Sequence, residues 1–392
     1  MTATHGSRKA DRPKAKKAFG IGMLGYSFMG KAHSNAYVRM PFFFDPPPAI
    51  PRLVTICGRS RQKVREAAER YGYPRYETDW RKVVADPEVD VVDNGLPNDM
   101  HAAPCIEAAE RGKSILCEKP LARNAKESET MLRAVTKAGV KNMVFYNYRF
   151  VPAIHLFRQL VAEGAVGKVR QFRAAYLQDW IVDPNFPLTW RFRKSSSGSG
   201  ALGDIGSHVI DLGRFLVGEI ESTCALTKTF MHERPIPGTS KKGRVDVDDA
   251  FISMVKFKGG AMGSIEASRV AAGRKNHARI EVHGSEGSLY FDLERLNELQ
   301  LYSLRDPADR RGFRIISVTE RMHPFMSNWW PPGHSIGWEH AMVNQVYHFF
   351  DALANDKKVE PWGATFHDGH RVDVILDAML KSVRTERWES TS

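Results

Sequence analysis

The pattern of hydrophobic positions changes character once along the chain, near residue 149. Before it, short apolar runs alternate with stretches of helical spacing. The runs Ala18–Leu24, Arg52–Cys57, Asp90–Asp93, Ile115–Cys117 and Met143–Tyr146 read as strands of a sheet covered on both faces, since such strands have no wet side on which polar residues could alternate. Between them, Phe28–Met40, Gln62–Tyr71, Ala102–Arg111 and Ala125–Ala138 carry apolar residues at helical intervals, which gathers them on one face. Phe42–Pro51, with three phenylalanines and four prolines, predicts a stiff loop. Repeated strand–helix alternation with short connections predicts an α/β unit, a doubly wound parallel sheet over residues 18–148.

Beyond residue 149 a helix is expected over Ala153–Glu163, followed by longer, alternating, aromatic-rich strands. Val169–Trp180, Ala250–Phe257, Met262–Ser268 and Ala278–His283 read as antiparallel, and Lys258-Gly259-Gly260 is a hairpin signal between two of them. Residues 149–392 are therefore expected to form an α+β domain on an open, mostly antiparallel sheet. Two domains also suit 392 residues, more than one hydrophobic core usually serves.

Candidate chemistry falls at the carboxyl ends of the first domain's strands, where open α/β sheets bind ligands. Ile115-Leu116-Cys117 runs directly into Glu118-Lys119-Pro120 and delivers a carboxylate and an ammonium to that edge. A glycine fingerprint follows the first strand in two overlapping registers. Gly20, Gly22 and Gly25 fit it literally but would need the lysine-rich Lys14–Phe19 to be a buried strand. Gly25, Ser27 and Gly30 leave Ala18–Leu24 as the strand, with Ser27 in place of the middle glycine, and this register predicts a Rossmann dinucleotide site with the amides of the following helix aimed at the pyrophosphate. The second strand ends in Gly58-Arg59-Ser60, which has no acid for the ribose hydroxyls of NAD(H) and an arginine that suits the extra phosphate of NADP(H), or that would stack on adenine.

In the second half, Gly198–Asp211 feeds glycines into a helix on which Asp204 and His208 are four residues apart, so that carboxylate and imidazole are expected to share a face as a general base would require. A capped helix with a structural histidine is the competing reading. Gln178, Trp180, Trp190 and Arg191 suit a carbohydrate, because indole faces stack on sugar rings and amides bind hydroxyls. Arg149, His334 and Trp338 are further expected substrate contacts, although the stretch holding His334 and Trp338 reads equally well as a loop and helix start.

Composition narrows the setting. No apolar run approaches a membrane span, and the four cysteines have neither disulfide-framework nor zinc spacing, so no metal is expected and a reducing cytoplasm is the simplest home. The net charge of +12 is concentrated in part in residues 2–17, where six cations face one acid; this basic tail is expected to be disordered. The remaining excess is spread without the aromatic-interleaved stripe of a nucleic-acid binder, and an anionic cofactor or substrate accounts for it as well.

Taken in order, Gly25–Gly30 with Lys31-Ala32-His33, Pro97-Asn98 with His101, Glu118-Lys119-Pro120, Asn147-Tyr148-Arg149, Trp190-Arg191, and Asp204 with His208 resemble the Gfo/Idh/MocA oxidoreductase family, from about Phe19 to the final helices. Tyr176–Trp180, Val245–Asp249 and Asp309–Arg314 add a likeness to its glycoside dehydrogenases. The resemblance implies hydride transfer between a secondary ring hydroxyl of a sugar or glycoside, at C3, and the nicotinamide of NAD(H) or NADP(H). Lys119 would polarise the hydroxyl, His208 would take its proton, and Asp204 would orient the site or help bind the sugar, so that Asp204 and His208 would both touch the substrate. Gly25, Ser27, Phe28, Met29, Gly30, Arg59, Pro97, Asn98, His101, Glu118, Lys119, Asn147, Trp190 and Arg191 would line the cofactor, and the Lys119–Pro120 peptide would be cis. A homodimer or homotetramer sealed through the open sheet is implied as well. Two alternatives use the same residues: a redox-neutral glycosidase that retains its cofactor while oxidising, eliminating, hydrating and re-reducing one glycoside, and a non-catalytic sugar or nucleotide sensor.

Overall fold

The computed structural model describes residues 17–392, so the expected disordered tail, Lys17 apart, lies outside the described residues. The first half comprises β1 (Ala18–Leu24), α1 (Phe28–Phe43), β2 (Ile50–Cys57), α2 (Arg61–Tyr71), β3 (Arg75–Glu77), α3 (Trp80–Ala85), β4 (Val91–Asn94), α4 (Ala102–Glu110), β5 (Ser114–Cys117), α5 (Ala125–Ala138) and β6 (Asn142–Val144). Its sheet has the order β3-β2-β1-β4-β5-β6 with every pair parallel. The order reverses between β1 and β4, and a crevice outside their carboxyl ends is where such sheets take their ligands.

Local chemistry sets most of these bounds. Ahead of α5, Asn124 accepts a hydrogen bond from the Glu127 amide at 3.0 Å, and the helix ends on Gly139 at φ 67°, a left-handed cap that suits glycine. Helix α1 departs from expectation by running on to Phe43, through Pro41. The reason is tertiary: Phe43 packs on Trp329 at 4.3 Å between ring centroids and Phe44 stacks on Tyr347 at 4.0 Å, partners some 300 residues away along the chain.

The second half contains α6 (Pro152–Ala162), β7 (Val169–Leu177), α7 (Lys194–Ser197), a π-helical turn (Leu202–Gly206), α8 (Ser207–Leu216), β8 (Ile220–Lys228), β9 (Glu233–Pro235), β10 (Lys242–Arg244), β11 (Ala250–Phe257), β12 (Met262–Ser268), β13 (His277–Gly284), β14 (Gly287–Asp292), β15 (Glu298–Ser303), β16 (Arg314–Ser317), α9 (Trp338–Ala354), α10 (Phe366–Thr385) and β17 (Glu389–Ser390). Nine strands form one sheet in the order β16-β15-β14-β13-β7-β12-β11-β8-β17. The sheet is mostly antiparallel as expected, but β7 and β12, both read as antiparallel, run parallel, because β7 inserts between strands that follow it by some 90 to 115 residues rather than pairing through a hairpin. Strand β7 also stops at Leu177, short of the expected Trp180, whose ring turns into a cluster with Ile181, Leu188 and Phe192.

One face of this sheet packs on α8 and α10 through residues such as Phe172, Phe251, Phe257 and Ile265; the other leaves Leu226, Ile252, Met254 and Met262 exposed. The last helices return to the first sheet. Helix α9 buries Met342, Val343, Val346 and Phe350 against Tyr37 and Met40 of α1, and from α10 Asp373 and Asp377 accept the backbone amides of Ala122 and Ala125 at 3.1 and 2.9 Å. The chain leaving β5 is thereby pinned by the second domain.

Candidate active site

Strand β5 is buried through Cys117, so Glu118 and Lys119 emerge at the sheet's carboxyl edge as expected, and the Lys119–Pro120 peptide is cis. The Lys119 ammonium donates to the Asp204 backbone carbonyl at 2.7 Å and to its Oδ1 at 3.2 Å. Two segments 85 residues apart thus meet at a site where the side chains remain 16% and 24% exposed.

The helix carrying Asp204 differs from expectation. Leu202–Gly206 is a π-turn, and the Asp204 carboxylate is directed to Lys119 and to buried Arg269, whose Nη1 lies 3.5 Å from Oδ2, rather than to His208. The extra residue in the turn changes which side chains align, and two cations outbid one neutral ring for the carboxylate. Burial would raise the Asp204 pKa, but Lys119, Arg269 and Arg191 together hold it well below the usual carboxylate range.

His208 begins the next turn, enclosed by Tyr148, Tyr146 and Tyr176 at ring-centroid distances of 4.7, 5.9 and 5.9 Å. Its Nδ1 is sealed from solvent and has no hydrogen-bond partner. Burial, reinforced by the Lys119 charge, pushes the imidazole pKa well down, so the ring is neutral and able to accept a proton. Beside it a polar chain runs from Tyr148 to Tyr176 (2.6 Å between hydroxyls) and on to Asn276 Oδ1 (2.7 Å), which also accepts from the expected Gln178 (2.8 Å).

The cofactor cradle has the expected register. Gly25 adopts φ 105°, and a Cβ there would meet the Gly95 carbonyl at 2.8 Å; one on Gly30 would meet the Gly25 carbonyl at 2.2 Å. Gly20 and Gly22 instead lie within β1 and pack against Glu88 and Val83. Ser27 precedes α1 with no side-chain cap bond and no acid in the first turn, leaving its hydroxyl and the helix amides for an anion. Met29 packs beneath the turn, near Gly95. Asn147 is buried with an unpartnered Nδ2, a donor that a nicotinamide carboxamide or sugar hydroxyl would satisfy. These glycines, free amides and the orphaned donor fit a dinucleotide. Arg59 is exposed at the end of β2; Pro97 leads into Asn98, whose Nδ2 donates to Ser197 O at 3.0 Å, tying this edge to the loop before Asp204. Arg191 stacks on Trp190 at 4.6 Å.

Other expected contacts sit differently. His101 is fully buried, bonded to the carbonyls of Pro120, Leu121 and Leu96; it braces the loop after Lys119 and has no free edge for a cofactor. Glu118 is turned inward to His33 (3.2 Å) and to the Lys119 amide (3.0 Å), supporting the site from beneath. Arg149, expected at the substrate, is buried and forked onto Asp211 at 2.8 and 2.6 Å, beside Asp368 and over the Phe215 ring; it lines a separate cavity of about 490 Å³ with Arg158 and Arg214. Its charge needs those carboxylates to remain buried at all. Trp180 is half-buried, its ring facing Phe186 at 5.1 Å and the Arg269 guanidinium at 5.6 Å. Trp338 stacks on exposed Phe28 at 5.5 Å, at the cofactor end, and exposed His334 bonds within its own loop to Pro331 O at 2.9 Å.

Sequence reasoning missed Arg269, Tyr146, Tyr176 and Asn276 as site residues. Arg269 carried a signal: a charged residue directly ending the alternating strand β12.

Comparison with known proteins matches the fold in both halves of the chain. Residues 19–146 match the oxidoreductase family with an NAD-binding Rossmann fold, and residues 154–290 match the GFO/IDH/MocA C-terminal domain. Levoglucosan dehydrogenase of Pseudarthrobacter phenanthrenivorans is 45% identical over 381 residues, 94% of this chain and 97% of its own. Myo-inositol 2-dehydrogenase of Thermotoga maritima is 30% identical over 318 residues, 79% of this chain and 87% of its own. A solved levoglucosan dehydrogenase in complex with NADH and levoglucosan superimposes with a TM-score of 0.92 at 46% identity, covering 95% of this chain and 99% of that one. With both halves of the fold matched in sequence and 95% of the chain matched in structure, this protein belongs to the Gfo/Idh/MocA oxidoreductase family.

Proposed function

We propose that the protein is an NAD(P)-dependent dehydrogenase that oxidises a secondary ring hydroxyl, at C3, of levoglucosan or a closely related sugar or glycoside. The observation that carries this reading is the meeting of Lys119 with Asp204 beside a neutral, unpartnered His208. A sugar hydroxyl placed against the ammonium would acquire alkoxide character, because a fixed cation favours charge that develops as the O–H bond breaks. His208 would accept that proton; burial keeps the imidazole neutral before the reaction, and Asp204 keeps Lys119 in place. Bound NAD(P) would supply the hydride acceptor. Ser27 and the amides of α1 would hold its pyrophosphate, Arg59 would face the adenosine end, and Asn147 the nicotinamide end. Gln178 and Asn276 would order the remaining hydroxyls of the ring.

Support for levoglucosan as the substrate class comes from the similarity of the whole chain to a levoglucosan dehydrogenase. The test is a panel of anhydrosugars, free sugars and glycosides with either cofactor, followed by nicotinamide absorbance and product NMR. Levoglucosan should be oxidised at C3; an inert panel would refute the reading. A second reading, the redox-neutral glycosidase, draws on the Phe28–Trp338 stack, which ties the start of α1 to the second domain and would slow cofactor exchange. Sugar cleavage without NAD(P)H accumulation in the same panel would select it.

An oligomer fits the open sheet. Leu226, Ile252, Met254 and Met262 lie on one exposed face, Leu226 and Ile252 directly paired on neighbouring strands and Met262 opposite Lys256, two residues beyond Met254. A second copy would cover this apolar end, and light scattering of the purified protein would report a monomer if it does not.

A further inference from the structure

Helix α1 carries, on its second turn, a fully buried histidine that no step above uses. His33 Nδ1 lies 3.1 and 3.0 Å from the two carboxylate oxygens of Asp93 at the end of β4, and Nε2 lies 3.2 Å from Glu118 Oε1 at the end of β5. An imidazole flanked by carboxylates on both nitrogens satisfies both only by donating from both, which makes it an imidazolium. The other Glu118 oxygen accepts from the backbone amide of Lys119 at 3.0 Å. Tyr37 donates to Asp93 at 2.6 Å and fixes that carboxylate, while the His33 ring stacks on Phe145 at 3.7 Å. An unbroken hydrogen-bonded chain therefore leads from α1 through Glu118 to the peptide of Lys119.

We propose that His33 is a positioning residue that, by bridging Asp93 and Glu118, locks the peptide of Lys119 to the helix that receives the dinucleotide. The proposal rests on the reading of Lys119 as the group that touches substrate. Its geometry has a purpose in those terms: cofactor and ammonium must keep a fixed separation although they are held by different elements, and a displacement of about 1 Å can cost on the order of a hundredfold in rate.

The groups facing His33 are Asp93 from β4, Tyr37 from its own helix, Glu118 from β5 and apolar Phe145 beyond β6; Tyr73 reaches the cluster through Ser34 at 3.2 Å, and the Lys119 ammonium lies beyond Glu118. Burial opposes charging the ring, but Asp93 and Glu118 outweigh it and raise the pKa to about 9. A histidine whose folded-state pKa is raised contributes fully below its unfolded value of about 6.5 and loses that contribution as pH rises through the folded value. The lock is therefore complete at neutral pH and opens in alkali, near 9.

The experiment is a pH titration of the intact protein selectively labelled with nitrogen-15 at histidine and lysine, read by NMR, beside His33→Gln, which keeps one donor but cannot bridge. The imidazole of His33 should titrate near 9 with the backbone amide of Lys119 shifting in parallel. In His33→Gln that amide transition should vanish, and kcat should fall roughly ten- to a hundredfold with the sugar KM little changed. A His33 that is neutral at pH 7, or a Lys119 amide that stays still while His33 titrates, would overturn the proposal, as would a folded His33→Gln with the parental kcat and pH profile. Should the variant not fold, the titration of the parent protein decides alone. The NMR readout needs no sugar, so an error in the assigned substrate and an error in this proposal give different results.

Discussion

Lys119 and Asp204 meet across the domain boundary through two contacts, the ammonium reaching both the carboxylate at 3.2 Å and the backbone carbonyl at 2.7 Å. The second contact matters as much as the first, because a carbonyl from the π-turn cannot swing away as a side chain can. It makes the position of the ammonium depend on the turn, and the turn on Asp248, whose carboxylate accepts the amides of Gly200 and Leu202 at 2.7 and 2.8 Å.

Replacing Lys119 by methionine keeps a side chain about as long as the lysine's apolar stem and removes the charge. The rate of sugar oxidation should fall by roughly two to three orders of magnitude, the usual cost of losing a charge-stabilising donor, with NAD affinity changed less than about threefold. Steady-state kinetics and a fluorescence titration with NAD check the two halves separately.

His208→Ala should cost about two to four orders of magnitude in rate. The wild-type profile of kcat/KM against pH carries a sharper expectation. Activity requires the neutral ring, and burial with the Lys119 charge depresses its pKa, so the neutral form survives as pH falls and the acid limb should lie well below about 6.5. Measured on the residual activity of Lys119→Met, that limb should move upward, since a repelling charge has gone.

Acid should also unfold this protein through a histidine remote from the chemistry. His155 is buried between Trp362, stacked at 4.3 Å, and Phe325 at 4.8 Å; its Nε2 has no partner, and burial, aided by His348 and Arg158, lowers its pKa to about 3. A depressed histidine binds no proton in the folded state where the unfolded chain does, so stability is intact above about 6.5 and falls as pH drops toward 3. His155→Phe should flatten part of that fall in urea denaturation at pH 5, compared with pH 7.5.

Much of the frame was legible because it depends on local rules. Buried parallel strands read as continuous apolar runs, and the Gly25–Ser27–Gly30 register was separable from the literal one by asking what strand must precede it. The fork of Arg149 onto Asp211, the inward turn of Glu118 and the packing of His101 were not legible. Each depends on which carboxylate or carbonyl lies opposite in space, and a motif records only that a polar residue is present. The π-turn escaped for a related reason: spacing of four between Asp204 and His208 implies a shared face only if the helix has its ordinary pitch. Residues 42 and 43 were misread because proline content was weighed while the aromatic partners of this segment on the last third of the chain were invisible.

Arg59 offers a test of cofactor choice. The end of β2 carries no acid next to it, so NADP should be accepted as well as NAD; Arg59→Ala should weaken NADP by about tenfold and NAD by less than about twofold. Equal effects in a binding titration would place the guanidinium over the adenine instead of at a phosphate.

The central claim is that a proton leaves to His208 and a hydride leaves from one ring carbon beside Lys119. The most direct measurement is the oxidation of levoglucosan deuterated at C3, with mass spectrometry of the reduced cofactor. Deuterium should appear in the cofactor, and the rate of hydride transfer should show a primary isotope effect. Reduced cofactor without deuterium, or no reduced cofactor from any sugar offered, would contradict the account.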